Sequence, residues 1–178
     1  MKRILAVLGC VFTIAAHGAP TTTTYDIEVL VFENQLPTLE GGELWTRDNA
    51  HAPKPDFADA TTVGEGMTDA AFAAAIAALQ KDGGYRVLLH RRWRQTAEEK
   101  SATKAVRLRN TEGQVDGALR FYTNRFLLVD LDVVLQDKAS GELSYRLSEH
   151  RRVKPQEMNY FDHPKIGVLM RVIAAGKE

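Results

Sequence analysis

The sequence predicts an α+β fold, in which a mostly antiparallel sheet of about five to six strands carries one main helix packed on one face. Most apolar segments alternate apolar and polar residues, as half-buried strands do. Only the segment around residues 68–84 has apolar residues at helical spacing. Short polar stretches separate the alternating segments and favour consecutive hairpins.

The first 18 residues are predicted to be a cleaved secretory signal peptide. Lys2 and Arg3 precede an uncharged apolar run, which is shorter than the roughly 20 residues that span a bilayer. Small residues follow, and cleavage is expected after Gly18. The sequence VLGC, ending at Cys10, resembles a lipid-attachment box, but its apolar stretch is short. We therefore expect export to the periplasm, no transmembrane segment and a mature chain without cysteine.

Residues 19–178 are predicted to form a single domain, because their number is typical of one hydrophobic core. The whole chain has 23 acidic and 23 basic residues, but residues 25–80 are acidic and residues 81–125 are basic. A formal net charge of zero argues against a general polyanion binder. Nucleic acid is therefore not expected as a partner of this exported chain.

The domain is predicted to begin with a strand over YDIEVLVF, residues 25–32. One face of this strand is apolar throughout, and the other carries Leu30 and Phe32 beside Asp26 and Glu28. Both faces are therefore expected to be partly covered by other parts of the chain. An acidic loop punctuated by Pro and Gly follows at about residues 33–67.

The one predicted helix starts after this loop. Thr68 and Asp69 offer an N-cap, and Gly83-Gly84 marks the end. The apolar residues at helical spacing are Phe72, Ile76 and Leu79.

The rest of the chain is predicted to form strands. YRVLLHRRWRQ, residues 85–95, is expected to send Tyr85, Val87, Leu89, Arg91 and Trp93 to one face and Arg86, Leu88, His90, Arg92 and Arg94 to the other. Further strands are expected over residues 105–109, 115–122, 125–136 and 143–152, with tight connections at 123–124 and 138–141. The inward face of the third of these consists of Leu127, Val129, Leu131, Val133 and Leu135.

Four segments together resemble the CsiV family of periplasmic peptidoglycan-binding proteins. They are YDIEVLVFE at the start of the mature chain, GELW at 42–45, YRVLLHRRWRQ at 85–95 and EHRRVKPQEMNYFDHPKIGVLM at 149–170. The chain departs from the family pattern at Val153 and Asn159, and no proline follows Gln95. The resemblance implies peptidoglycan as a partner, and also a class A penicillin-binding protein, alone or with its outer-membrane lipoprotein activator. No catalysis and no cofactor are expected, which agrees with the lack of a recognisable nucleophile or metal cluster in the sequence.

Peptidoglycan suggests which side chains to consider as ligands. Sugar faces stack on aromatic rings, and the carboxylates of peptide stems suit the forked donors of arginine. The candidate ligand-binding residues are Arg92, Trp93, Arg94, Arg151, Arg152, Tyr160, Asp162 and His163. For Trp93, packing in the core is the favoured interpretation, because it shares a face with apolar residues. Arg92 and Arg94 can equally be a solvated surface.

The sequence FDHP at 161–164 raises the question of a catalytic dyad. Asp162 and His163 are neighbours in an extended segment, so their side chains are expected to point in opposite directions, and Pro164 holds His163 extended. We interpret the motif as a turn in which Asp162 accepts local backbone N–H groups. The remaining histidines are scattered, so no metal site is expected.

Three functions stay open from sequence. The first is a peptidoglycan-binding adaptor, and the second is a purely protein-binding adaptor that uses the acidic loop or a strand edge. The third is a wall hydrolase that uses Asp162, His163 and Glu157.

Overall fold

The computed structural model describes residues 23–35, 57–63, 68–137 and 143–176. The predicted signal peptide with Cys10, most of the predicted acidic loop and the predicted turn at 138–141 lie outside this part of the chain.

The described residues form two four-stranded antiparallel sheets and one α-helix. In chain order the elements are β1 (Thr24–Asn34), α1 (Ala70–Lys81), β2 (Tyr85–Thr96), β3 (Val106–Arg109), β4 (Val115–Thr123), β5 (Leu127–Asp137), β6 (Leu143–Arg152), β7 (Met158–Asp162) and β8 (Ile166–Ala174). Sheet A has the strand order β2-β1-β8-β7, and sheet B has the order β3-β4-β5-β6. The helix and the six predicted strands, β1 to β6, are therefore confirmed, with small changes at their ends.

The predicted single sheet of five to six strands is corrected to two sheets with eight strands in the described residues. Alternation shows which residues share a face but not which sheet a strand joins. The two additional strands, β7 and β8, flank the FDHP motif. Strand β8 is a nearly continuous apolar run, and periodicity cannot tell whether such a run is a strand or a helix.

The two sheets pack face to face around the main hydrophobic core. The predicted inward face of β5 is confirmed, because all five of its residues belong to this core. Sheet A contributes side chains from β1, β2 and β8, of which Ile27, Val29 and Val172 are fully buried.

Helix α1 lies on the other, outer face of sheet A. Its single buried residue, Phe72, packs with Leu30 and Phe32 of β1, as the apolar pattern on both faces of β1 predicted. Asp69 is the N-cap, and its carboxylate accepts the backbone N–H of Ala71. The chain turns into β2 directly after the helix, where the N–H of Tyr85 donates to the carbonyl of Asp82.

A β-bulge corrects the predicted faces of β2. Val31 pairs with Leu89, but the next residue, Phe32, pairs with Val87, so the register shifts at this point. Val87 therefore joins the helix-facing cluster, whereas Leu88 and Leu89 contact the core between the sheets. One extra residue in a strand reverses the faces on either side of it, and alternation along one sequence does not reveal the insertion.

The described part of the acidic loop, residues 57–63, packs on the outer face of sheet B. Phe57 is buried against Ala105 and Ala118. Thr61 forms a parallel bridge with Val106 and so extends the β3 side of the sheet. None of the helices in the described residues is long and apolar enough to cross a membrane.

Candidate functional site

Arg92 and Arg94 lie together on the outer face of sheet A, as the alternation of β2 predicted. The Arg94 guanidinium makes two hydrogen bonds to the Asp26 carboxylate across the strand pair, of 2.9 and 3.2 Å. The Arg92 Nη2 lies 3.7 Å from the same carboxylate. The hydrogen bond from Arg94 lowers the pKa of Asp26 against the opposing effect of its burial. The Arg94 side chain is 53% exposed and the Arg92 side chain 22%, so Arg94 is the more accessible cation.

A second polar network, next to this arginine pair on the outer face of sheet A, holds the start of the helix. Glu28, on the same face of β1, is only 3% exposed. Its carboxylate binds the His90 ring at 2.7 Å and accepts the backbone N–H of Asp69. Arg171 of β8 donates to the Asp69 carboxylate. These partners satisfy the buried carboxylate and fix the helix N-terminus to sheet A.

Beyond the C-terminal end of the helix, the same face carries an aromatic row, which consists of Tyr85, Phe32 and Tyr160. The Phe32 and Tyr85 rings meet edge to face with 5.6 Å between centroids, and the Phe32 and Tyr160 rings are nearly parallel at 6.3 Å. Gly167 of β8 lies between β1 and β7, and a Cβ at this position would overlap the Phe32 ring. The glycine thus allows Phe32 to lie flat across β8 and reach Tyr160.

Tyr160 and Asp162 lie on the same face of β7, two residues apart. The Tyr160 hydroxyl donates to Oδ1 of Asp162 at 2.6 Å. Burial, followed by this bond to the carboxylate, raises the pKa of Tyr160, so the phenol stays protonated at neutral pH. Asp162 therefore accepts a side-chain hydroxyl, rather than the local backbone N–H groups that the sequence predicted.

The FDHP motif forms the turn between β7 and β8, as predicted. The His163 carbonyl accepts the N–H of Ile166, and the His163 Nδ1 accepts the N–H of Lys165. The His163 ring lies toward Tyr145 of sheet B, whereas Asp162 lies on the outer face of sheet A with Tyr160. The two side chains thus diverge, and they are not arranged as a dyad. Among the described residues, no three His, Cys, Asp or Glu side chains are grouped as a metal site.

Trp93 lies in the core between the sheets, with 8% exposure. Its indole N–H donates to Gln95 Oε1 at 2.9 Å, and Gln95 in turn donates to the carbonyl of Phe121 in sheet B. This agrees with the packing interpretation. Trp93 is thus buried on the opposite side of β2 from Arg92 and Arg94.

Arg151 and Arg152 point to opposite faces of β6, as expected, and neither joins the outer face of sheet A. The Arg151 guanidinium lies 3.9 Å from the centre of the Phe161 ring and donates to the carbonyl of Tyr160, so it bridges β6 of sheet B and β7 of sheet A. Arg152 lies 3.8 Å from the ring centre of the exposed Phe126.

The outer face of sheet B holds a cleft that the sequence did not reveal. Asp130 binds Lys100 at 2.7 Å and His150 at 2.5 Å, and the Tyr122 hydroxyl donates to it. Burial alone would raise the pKa of Asp130, but the bonds from Lys100 and His150 outweigh it and lower the pKa. A cleft of about 530 Å³ opens between Lys100, Tyr122 and His150. These residues come from β4, β5, β6 and a loop, so only their cross-strand register brings them together.

The described residues thus form a sandwich of two sheets whose outer faces carry aromatic rings beside charged groups. The model of the CsiV family, described as a peptidoglycan-binding protein, matches residues 56–175. The chain belongs to this family. The matched region contains α1 and β2 to β8, while β1 precedes it. No curated protein and no solved structure showed significant similarity to the chain.

Proposed function

We propose that this protein is a non-catalytic, periplasmic peptidoglycan-binding accessory protein that supports cell-wall synthesis by a class A penicillin-binding protein. The observation that carries the proposal is membership of a peptidoglycan-binding family over residues 56–175. The structure is compatible with binding without turnover, since Asp162 and His163 diverge.

Arg92 and Arg94 are proposed to bind the carboxylates of peptide stems. Arginine recognises a carboxylate through two parallel hydrogen bonds. The bonds from Nε and Nη2 of Arg94 to Asp26 support this proposal, because they orient the guanidinium on the outer face of sheet A. An incoming carboxylate would approach the exposed side of Arg94, while Asp26 keeps the side chain extended across the sheet.

The protein would act by positioning. A protein that holds a synthase against the wall raises the local concentration of substrate, which reaches about millimolar values for short flexible tethers. The class A penicillin-binding protein, alone or with its outer-membrane lipoprotein activator, is the proposed partner in this arrangement.

The second candidate is a purely protein-binding adaptor of the synthase complex without direct wall contact. It is favoured by the edge of sheet A: within the described residues, β2 is a 12-residue edge strand. An edge strand offers backbone N–H and C=O groups on which an extended segment of a partner can pair.

The deciding experiment is a pull-down of residues 19–178 with purified sacculi, with and without the periplasmic domain of a class A synthase. We expect retention of the protein alone, and lower retention of the Arg92→Ala/Arg94→Ala double variant. The control is Arg109→Ala/Arg125→Ala, which removes two cations from exposed positions of sheet B and its β4–β5 turn. Retention only with the synthase would favour the protein-binding adaptor, and release of soluble muropeptides would contradict a non-catalytic role.

A further inference from the structure

We propose that the aromatic row on sheet A is a binding site for the glycan strand of peptidoglycan, separate from the arginines that meet the peptide stems. This inference rests on the proposed function and deepens it. It assigns the sugar chain and the peptide to two ends of one face.

The aromatic row has an exposed tyrosine at each of its two ends. Tyr85 is 37% exposed and Tyr160 is 45% exposed, on the two edge strands of sheet A, whereas Phe32 between them is 5% exposed. Met158, two residues before Tyr160 on the same face of β7, is 39% exposed. The exposed side chains thus lie on either side of the buried Phe32 ring. Exposed apolar surface that is grouped in this way marks binding sites.

The rings of the aromatic row are held in fixed positions. Phe32 fixes the rings on either side of it, and its own position is fixed by packing with Phe72 and by the absence of a side chain at Gly167. Rings that are already held in place lose little conformational entropy when a ligand binds. The flat, rigid face of a tyrosine suits the apolar face of a pyranose ring, which stacks through its C–H groups.

The carboxylate of Asp162 is a polar group beside the row. Asp162 is exposed and already holds the Tyr160 hydroxyl through Oδ1. A carboxylate has room for further donors, and sugar hydroxyls and N-acetyl N–H groups supply them. An aromatic face with a carboxylate at its rim therefore fits an N-acetylated sugar.

The two ends of this face differ in charge, and this difference favours the glycan at one end and the peptide stem at the other. The negative charge of Asp162 disfavours the carboxylates of a peptide stem at this end of the face. The arginine pair lies at the opposite end, beside the helix N-terminus. Helix α1 packs between the two regions. A wall fragment can then place its sugar strand on the row and its peptide on Arg94.

The test uses two probes on the mature chain: intact sacculi, and soluble glycan strands from which an amidase has removed the peptides. We expect the wild-type protein to bind both. Tyr160→Ala should weaken binding to peptide-free glycan by roughly tenfold, the effect of removing one well-packed aromatic contact. Tyr160→Phe, which keeps the ring and loses only the bond to Asp162, should retain most of the affinity.

The matched control is Phe126→Ala, which removes an aromatic ring with 43% exposure from the β4–β5 turn of sheet B. It should leave glycan binding unchanged. Tyr85→Ala provides a second test on a different strand, in case Tyr160→Ala lowers folding stability.

The inference would be overturned if wild type and both tyrosine variants bound peptide-free glycan equally well. It would also be overturned if Phe126→Ala lost as much glycan affinity as the tyrosine variants. Binding of sacculi without binding of peptide-free glycan would overturn it but leave the proposed function intact, whereas failure to bind sacculi would refute the proposed function itself.

Discussion

Among single residues, Asp26 has the clearest dependence on pH. Its hydrogen bonds to Arg94 hold the pKa of the carboxyl below the ordinary value of 3.8. A carboxyl with a lowered folded-state pKa contributes stability above the unfolded value, and this contribution is lost as the pH falls through the folded-state value. We therefore expect Asp26→Asn to be less stable than wild type at pH 7, with the difference shrinking as the pH falls below 3.8 toward the folded-state pKa.

Urea unfolding of both proteins at several pH values measures this difference. Glu157→Gln is a suitable control, because the side chains of its ion pair with Lys154 are 61% and 64% exposed and the pair is expected to contribute little. A difference between Asp26→Asn and wild type that does not shrink at any pH below 3.8 at which the wild type still folds would show that the ionised carboxylate is not what stabilises this position.

At the scale of the elements, the start of α1 depends on Asp69. This residue caps the helix, accepts from Arg171 and donates its own N–H to Glu28. Asp69→Ala removes the first two interactions and should destabilise the protein by about 1 kcal/mol through the lost cap alone. Asp69→Ser keeps a capping oxygen and should recover much of that loss. Hydrogen exchange of residues 70–81 provides the measurement, and equal protection in the two variants would contradict a capping role.

The elements were largely predictable, and their assembly was not. Helix α1 was visible because its cap and apolar spacing agree, and β5 because one whole face is apolar. The bulge opposite Val31, the division into two sheets and the cleft at Asp130 all depend on pairing between distant strands. The aromatic row was only partly foreseen. Tyr160 and Asp162 were candidates, but the contribution of Phe32 and Tyr85 requires Gly167 to be placed between β1 and β7.

At the scale of the whole molecule, substitution of Arg151 tests how the two sheets are held together. Arg151 and Arg152 are neighbours, and each guanidinium lies over an aromatic ring, but only Arg151 bridges the sheets. We expect Arg151→Ala to lower the free energy of unfolding by about 1–2 kcal/mol, through the lost ring contact and the lost bond to the Tyr160 carbonyl. Arg152→Ala should change it by about 0.5 kcal/mol or less, as surface substitutions usually do.

Chemical denaturation of the two variants under identical conditions makes the comparison. Equal destabilisation by both substitutions would argue that the ring contact, rather than the bridge between sheets, determines the effect.

The central position of β1 also determines when the protein can fold. β1 pairs with β2 on one side and with β8 on the other, so the first strand of the described chain needs one of its last segments as a neighbour. Such distant pairing makes loop closure expensive and folding slow. Until residues 166–174 arrive, β1 has an open hydrogen-bonding edge and unprotected apolar faces. A chain cut short before β8 would therefore expose an aggregation-prone strand, and sheet A can form only after synthesis has reached the eighth strand.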